Sequence, residues 1–240
     1  MEQHNKIINA VAKQCLASEG LFRIGSSRNW VDDNGYFLTI VEFQPSSYSR
    51  GTYLNVGINF MWEKSEGLND TLSFDCGGRV IIGKGKQFAE YRERLKNGDE
   101  IFTAEVEEFV AAALEKVKEY RMFSDLDHAE KQLLVKTSQT QEDCMLWEMY
   151  DLAMLCFFKG DFNRGKKCFN SFLDTAKNSL FGNTCCDWIQ EFYNYCISEI
   201  VPQIDSADTA QKMVFEMINR RRKYFNNKSS YKKMRKDIIF

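Results

Sequence analysis

Proline and histidine are scarce in this sequence. Its 240 residues include only Pro45 and Pro202, and only His4 and His128. Because proline interrupts helices and central strands, this low content favours long, regular elements. The two histidines lie far apart, and neither belongs to an HExxH motif or to a pattern typical of a Ser-His-Asp triad. We therefore expect no metal site and no cofactor.

Three other patterns are absent: a CxxC pair, a phosphate-binding GxxxxGK[ST] loop, and an apolar run of the ~20 residues that a bilayer span requires. The first residues, MEQHNKII, lack the apolar core of a signal peptide. Eight cysteines are present, most of them among apolar residues: Cys15, Cys76, Cys144, Cys156, Cys168, Cys185, Cys186 and Cys196. We expect a cytoplasmic protein without a membrane segment, with every cysteine a free thiol.

Positive charge is concentrated near the C-terminal end. Residues 220–240 carry nine Lys or Arg and one acid, a net charge of +8, whereas the remaining residues carry 23 basic and 33 acidic side chains, a net charge of −10. These opposite signs favour docking of a basic tail, 228–240, on the acidic body or on an acidic partner, with Ile239 and Phe240 as an apolar anchor. The basic residues begin at Arg220, Arg221, Arg222 and Lys223, before the tail, and alternate with Tyr224, Phe225 and Tyr231. This basic segment could instead bind nucleic acid through phosphate contacts and base stacking.

The first hundred residues combine helical and strand patterns. Residues 3–18 carry one apolar helical stripe, and Gly20 is a typical helix stop. Between the first two strands, Asn34 and Gly35 predict a two-residue turn in which both have positive φ. Residues 87–96 are expected to form a helix. Four segments are predicted strands: 28–31, 36–44, 52–62 and 71–82.

From about residue 99 the pattern is helical. The predicted helices are 99–120, 124–136, 142–158, 162–177, 183–201 and 205–225. The expected fold class is α+β, with a four-stranded antiparallel sheet and flanking helices followed by an all-helical C-terminal bundle. The expected domains are 1–98 (α+β), 99–227 (helical) and the basic tail 228–240.

The strand 52–62 has the clearest alternation. Val56 and Ile58 lie on its apolar face, which we expect to be buried, whereas Asn59 lies on the opposite, polar face and is expected to be exposed. Six residues on this polar face and in the loop beside it are candidates for a binding surface: Gln44, Tyr48, Arg50, Tyr53, Asn55 and Asn59. Alternatively, Gln44 and Asn55 hold adjacent backbone groups and fix the loop.

Two groups of motifs resemble known families. The motif Gln44-x-Ser46, followed by Tyr53-x-Asn55-x-Gly57, is similar to a bacterial family of domains of unknown function over residues 5–95, where Phe22 and Trp30 also match. In that family the residue between Gln and Ser is usually basic, whereas here it is Pro45. The resemblance implies an α+β domain of bacterial origin and no catalytic chemistry.

The second resemblance is to one tetratricopeptide helical hairpin, over residues 147–177. Its motif residues are Leu152, Ala153, Gly160, Asp161, Phe162, Cys168, Phe169 and Ala176, and the small residue of the second helix falls on Gly165. No second copy occurs at the repeat period, and stable arrays need about three repeats. A lone hairpin therefore indicates local helix packing.

These patterns favour a non-enzymatic protein-interaction module, because histidines are few and helix pairs are many. By analogy with small bacterial cytoplasmic domains, an immunity-type protein that binds a toxin is one form of this hypothesis. A nucleic-acid-associated protein that uses the basic tail is the second hypothesis. An enzyme with a carboxylate or cysteine site is the third, and we expect it least.

Overall fold

The computed structural model describes residues 2–62, 74–139, 146–181, 187–231 and 234. The chain forms two compact units. The first contains the described residues of 1–59, 72–121 and 228–235, and the second those of 60–71 and 122–227.

An antiparallel six-stranded sheet forms the centre of the first unit. Its strands are β1 (Phe22–Arg23), β2 (Asn29–Asp33), β3 (Phe37–Gln44), β4 (Gly51–Phe60), β5 (Cys76–Arg79) and β6 (Phe88–Glu90). Neighbouring strands follow the order β1-β2-β3-β4-β5, and β6 also pairs with β4. The α+β class is confirmed, but the predicted number of four strands is too low. The predicted strand 71–82 is shorter in the structure, and residues 71–73 lie outside the described residues.

The additional strand β6 occupies a segment for which the sequence predicted a helix. Phe88 pairs with Tyr53, and Glu90 pairs with Gly51. Ala89 between them is fully buried in the core. The prediction of a helix over 87–96 was wrong because pairing with β4 and burial of Ala89 outweigh the local helix preference of the segment.

The hairpin between β2 and β3 also differs from its prediction. Three residues, 34–36, connect the strands, and Gly35 alone among them has positive φ, at 90°. Asn34 acts through its side chain instead, since its amide donates to Thr39 Oγ1 at 3.2 Å. The Gly35 N–H donates to Asp33 Oδ1 at 3.1 Å. These side-chain bonds stabilise a longer turn than the two-residue type expected from Asn-Gly.

Two helices cover one face of the sheet. They are α1 (Gln3–Ser18) and α2 (Gly98–Arg121). Their apolar stripes pack with Val41, Leu54 and Val56 into one buried cluster. Because α2 completes this core, it belongs to the first unit, which extends to Arg121. The sequence analysis instead placed the domain boundary at residue 98.

Close strand contact explains two glycines. Gly57 in β4 is directly opposite Gly77 in β5. A Cβ on Gly57 would lie 2.3 Å from Cδ1 of Phe74 and 2.5 Å from the carbonyl oxygen of Cys76. Gly77 has φ of 144°, and a Cβ there would lie 2.3 Å from Cα of Gly57. The motif glycine at position 57 is therefore a packing requirement.

The second unit is helical in its described part. Its α-helices are α3 (Leu126–Gln139), α4 (Leu146–Lys159), α5 (Phe162–Phe181), α6 (Asp187–Tyr195) and α7 (Ala207–Asn226). A π-helical segment, Cys196–Ile200, and a 3₁₀ turn, Val201–Gln203, continue α6. The Ser206 side chain caps α7 by accepting a hydrogen bond from the Thr209 N–H. The Thr209 side chain in turn accepts a hydrogen bond from the Ser206 N–H. The predicted helix starts at 142–145 and 183–186 lie outside the described residues.

Helix α4 is the central helix of this unit. Every residue from Tyr150 to Phe158 is buried, and α4 packs against α3, α5 and α7. Gly160, with φ of 88°, reverses the chain between α4 and α5. The hairpin expected over 147–177 is thus present as an antiparallel helix pair. A helix that is apolar on all sides is typical of the centre of a bundle.

Candidate interaction surfaces

Four polar side chains form a hydrogen-bond network on the face of the sheet opposite α1 and α2. Asn55 donates its amide N–H groups to Glu42 Oε2 at 2.9 Å and to Gln44 Oε1 at 3.0 Å. Arg79 donates to the same Gln44 oxygen at 2.9 Å and to Asn55 Oδ1 at 3.4 Å. Three strands thus contribute to one group, since Glu42 and Gln44 lie on β3, Asn55 on β4 and Arg79 on β5.

Aromatic rings complete this network. The Arg79 guanidinium carbon lies 3.9 Å from the centroid of the Tyr53 ring, which is a cation–π distance. The Tyr53 ring lies 4.6 Å from the ring of Phe88 on β6. We call Glu42, Gln44, Tyr53, Asn55 and Arg79 the sheet network.

The sheet network uses its polar groups internally. Both amide hydrogens and the oxygen of Asn55 are bonded within it, and the Gln44 oxygen accepts two bonds. A group satisfied in this way gains little by binding a ligand, because an existing bond must break first. The arrangement therefore favours a structural role for Gln44 and Asn55, as in the alternative given by the sequence analysis. Their partners in the sheet network are side chains on neighbouring strands, however, and not the backbone groups through which that alternative has them fix the loop.

The loop between β3 and β4 holds two residues of the candidate surface. Ser46 Oγ accepts hydrogen bonds from the N–H groups of Tyr48, at 3.1 Å, and Ser49, at 3.3 Å. These bonds hold a compact turn at whose tip Tyr48 is 98% exposed. Arg50 forms ion pairs with Glu93 and, at 3.8 Å, with Glu2.

Asn59 lies in a different environment from that expected. It is buried, and its amide donates to Asp75 Oδ2 at 3.2 Å. The expectation that Asn59 is exposed was wrong, whereas Val56 and Ile58 are buried as predicted. Of the six candidate residues, Gln44, Tyr53 and Asn55 come together in the sheet network, and the bonds of Tyr48, Arg50 and Asn59 described above are made elsewhere.

Glu42 and Arg79 belong to the network but were missed in the sequence. Glu42 shares strand parity with Gln44, so the period-two pattern carried the signal for it. Arg79 could be placed only with the register of β5, in which Asn55 pairs with Arg79. The glycines before Arg79 gave no apolar alternation from which that register could be read.

A second surface, not expected from the sequence, lies along α6 and its π-helical extension. Four apolar side chains follow one another at intervals of four residues: Ile189, Tyr193, Ile197 and Val201. Ile197 is 43% and Val201 41% exposed, while Ile189 and Tyr193 are half-buried. Ile197 lies in the π-helical segment and Val201 in the 3₁₀ turn, so the row continues beyond the end of α6. We call these residues the α6 stripe.

The N-terminal end of α6 carries an aromatic stack. Trp188 is 44% exposed, and its ring lies 5.3 Å from that of Trp147 with an interplanar angle of 15°. Phe192 packs beside Trp147 with a centroid distance of 5.0 Å. This stack joins α6 to the buried aromatic residues of α4 and α5, so the helix bearing the α6 stripe rests on a rigid base.

The charges on this segment have one sign. Residues 187–203 include Asp187, Glu191 and Glu199, all exposed, and contain no Lys or Arg. An apolar row on a helix that carries only negative charge is complementary to a partner with apolar and basic side chains.

Several residues proposed for nucleic-acid contact are part of the core. Arg221 and Arg222 are buried in the last turns of α7. Arg221 Nη1 donates to the carbonyl oxygen of Phe60 at 2.7 Å. Phe225 and Tyr231, expected to stack on bases, are also buried. These four side chains are therefore not accessible to phosphates or bases in this structure, and the predicted anchor, Ile239 and Phe240, lies outside the described residues.

Within the described ranges, no three His, Cys, Asp or Glu side chains converge as the ligands of one metal ion would. Among the described helices, not one has both the length and the apolar character needed to cross a membrane. Five cysteines are described, and all are free thiols: Cys15, Cys76, Cys156, Cys168 and Cys196. Cys144, Cys185 and Cys186 lie outside the described residues.

Comparisons of the chain with models of protein families, with curated proteins and with solved structures find no match. The two family resemblances therefore remain predictions.

Proposed function

We propose that this chain is a protein-binding module whose α6 stripe docks on a partner protein. The observation that carries this proposal is the row of four apolar side chains, two of them exposed, along a supported helix. Apolar residues exposed singly are ordinary on a protein surface, but an aligned row is typical of an interface. The exposed Trp188 lies on the same helix, and aromatic residues are enriched where partners bind.

The expected partner is an amphipathic segment with a row of apolar side chains and neighbouring Lys or Arg. Its apolar face covers Ile197 and Val201, which are the most exposed residues of the stripe. Its positive charges interact with Asp187, Glu191 and Glu199 and accelerate the encounter at low salt. Recognition of a helix by apolar residues three or four apart is a common mode of binding between proteins.

Calorimetric titration with a designed peptide tests this surface. The probe is a helix-forming peptide of leucine and lysine, and its counterpart carries glutamate in place of lysine. We expect the lysine peptide to bind and the glutamate peptide not to bind. Val201→Ser should weaken binding about 5-fold or more, because loss of an interface anchor costs about 1 kcal/mol or more.

Val135→Ser is the matched control, since Val135 on α3 is 42% exposed and undergoes the same change. Equal effects of the two valine substitutions, or equal binding of both peptides, would contradict docking at the α6 stripe. Self-association that Val201→Ser abolishes would identify a second copy of the chain, and not a different protein, as the occupant.

An immunity-type role is a more specific form of this proposal, in which the partner is a toxin. It predicts that the product of a neighbouring gene arrests growth and that co-expression of this chain restores growth. Rescue should fail with Val201→Ser and persist with Val135→Ser. If both variants rescue equally well, the toxin does not use the α6 stripe.

A further inference from the structure

Two cysteines face each other within the α4–α5 hairpin. Cys156 lies on α4 and is fully buried, while Cys168 lies on α5 and is half-buried. Their thiols are close enough to interact directly, and this contact shifts the pKa of each, raising that of Cys156 and lowering that of Cys168. The pair thus combines a half-buried cysteine with a fully buried one.

The two helices approach closely at this level. Gly165 on α5 packs on Phe157 of α4, and a Cβ on Gly165 would lie 2.5 Å from Cδ1 of that ring. The hairpin is closed on the same side, because the Asp161 N–H donates to the Cys156 carbonyl oxygen at 2.9 Å. A disulfide requires short distances between the backbones that it joins, so this contact favours bond formation between the facing sulfurs.

Charged groups surround Cys168 unequally. The contact with Cys156 lowers the pKa of the Cys168 thiol below its ordinary value, and the positive charges of Arg164 and Lys167 act in the same direction. Burial and the Glu130 carboxylate oppose this shift. Glu130 is itself held in ion pairs by Arg164 and Lys159, which reduces the effect of its negative charge.

Other described cysteines have the opposite character. Burial raises the pKa of the Cys15 thiol and raises that of Cys196 further. The pKa of Cys156 is also raised, chiefly by its contact with Cys168. Thiolate is the reactive form of cysteine, so the lowered pKa of Cys168 distinguishes it from these three thiols, and its exposure distinguishes it from Cys156 and Cys196.

We propose that Cys168 and Cys156 form an oxidation site for hydroperoxides, in which Cys168 is the attacking thiolate and Cys156 the resolving thiol.

In the first step the Cys168 sulfur attacks a peroxide oxygen. An S–O bond forms, the O–O bond breaks, and the sulfur is oxidised to sulfenic acid while the peroxide leaves as hydroxide or alkoxide. In the second step the Cys156 sulfur attacks that of Cys168. An S–S bond forms, the S–O bond breaks, and the departing hydroxide takes the Cys156 proton as water. Reduction by a dithiol reverses the modification.

The test uses the full chain, reduced, freed of reductant and treated with hydrogen peroxide. Trypsin cleaves after Lys159, Lys166 and Lys167, so a bond between Cys156 and Cys168 joins two separate peptides. Mass spectrometry of the non-reduced digest should show this linked pair, lighter by two hydrogen atoms than the two free peptides. Because Cys144 lies on the same tryptic peptide as Cys156, fragmentation of the linked pair should place the bond on Cys156, and Cys144→Ala should leave the linked pair in place. Cys168→Ala should abolish the linked pair, and Cys15→Ala, the matched half-buried control, should leave it unchanged.

Cys156→Ala should trap the intermediate. Without the resolving thiol, Cys168 should accumulate as sulfenic acid that reacts with dimedone. In the unmodified chain, iodoacetamide should label Cys168 roughly 5-fold or more faster than Cys15 at neutral pH, since its larger thiolate fraction outweighs the lower nucleophilicity of that thiolate. Labelling of Cys168 no faster than Cys15, or absence of the linked peptides after peroxide treatment, would overturn the proposal.

Discussion

The indole N–H of Trp62 donates a hydrogen bond to Oδ1 of Asp151 at 2.8 Å, and both side chains are buried. Trp62 follows β4, and Asp151 lies near the start of the central helix α4. The ring of Trp62 also stacks on Phe60 at 4.4 Å between centroids. Both residues belong to the second unit, so a directional bond stabilises the core of this unit in addition to apolar contact.

Trp62→Phe should destabilise the protein by about 1–3 kcal/mol. The substitution preserves an aromatic ring but removes the donor to a buried carboxylate, and such a lost bond has this cost. Urea denaturation followed by circular dichroism measures the effect. Trp188→Phe is the matched control, because Trp188 is partly exposed, and it should change stability by less than about 0.5 kcal/mol. Equal costs would show that lost ring area, and not the bond, determines the result.

Gly57→Ala should be destabilising, because the new methyl group would overlap the ring of Phe74 and the carbonyl oxygen of Cys76. Overpacking of this kind costs about 1–3 kcal/mol. Gly78→Ala in β5 is the control, since a Cβ at Gly78 would meet nothing within 4 Å. The free energies of unfolding of the two variants should therefore differ clearly. If Gly57→Ala leaves the free energy of unfolding unchanged, Phe74 does not occupy this position in solution.

The sheet network should behave as one coupled unit. Asn55→Ala removes the side chain that bonds Glu42 and Gln44, and Arg79→Ala removes the second donor to Gln44. In a double-mutant cycle we expect a coupling of about 0.5–3 kcal/mol between the two substitutions, as is usual for residues of one network. Strictly additive effects on the free energy of unfolding would contradict the network.

His4 should make stability depend on pH. Burial lowers the pKa of its imidazole below the ordinary value of 6.5, while Glu2 opposes and Arg28 and Arg50 reinforce the shift. The unfolded chain therefore binds this proton more tightly than the folded chain. The stabilising contribution of neutral His4 to the free energy of unfolding is present above pH 6.5 and is lost as the pH falls below that value. Unfolding free energies measured from neutral to mildly acidic pH should show this loss. His4→Gln should reduce it, and a pH profile that this substitution leaves unchanged would contradict the prediction.

Elements with a strong local pattern could be predicted from the sequence. The helix over 3–18 and the alternating strand around Val56 and Ile58 carry their periodicity in consecutive residues, and the structure confirms both. The sheet face bearing Gln44, Tyr53 and Asn55 followed from the same alternation. Local pattern and burial agree in these segments, so little tertiary information was needed.

The predictions that failed depended on contacts between distant residues. The strand containing Ala89 forms because it pairs with β4. Asn59 is buried together with a hydrogen-bond partner, Asp75, that lies 16 residues further along the chain. Nucleic-acid contact was one alternative for the basic residues from Arg220 onward, yet Arg221 donates to the carbonyl oxygen of Phe60. The α6 stripe was missed because its spacing of four residues crosses from an α-helix into a π-helical segment, where an ideal helical period no longer applies.

The described residues between 228 and 234 belong to the first unit, although the described residues of the second unit all precede them in the chain. Ser230 Oγ lies 3.1 Å from the position that a Cβ on Gly25 would occupy. During synthesis, the ribosome must therefore deliver residues 122–227 before the first unit can gain this contact. Closing so long a loop has an entropic cost, and contacts between distant residues therefore form slowly. The first unit should remain incomplete on the nascent chain, and its last contacts should form only after residue 231 has left the exit tunnel.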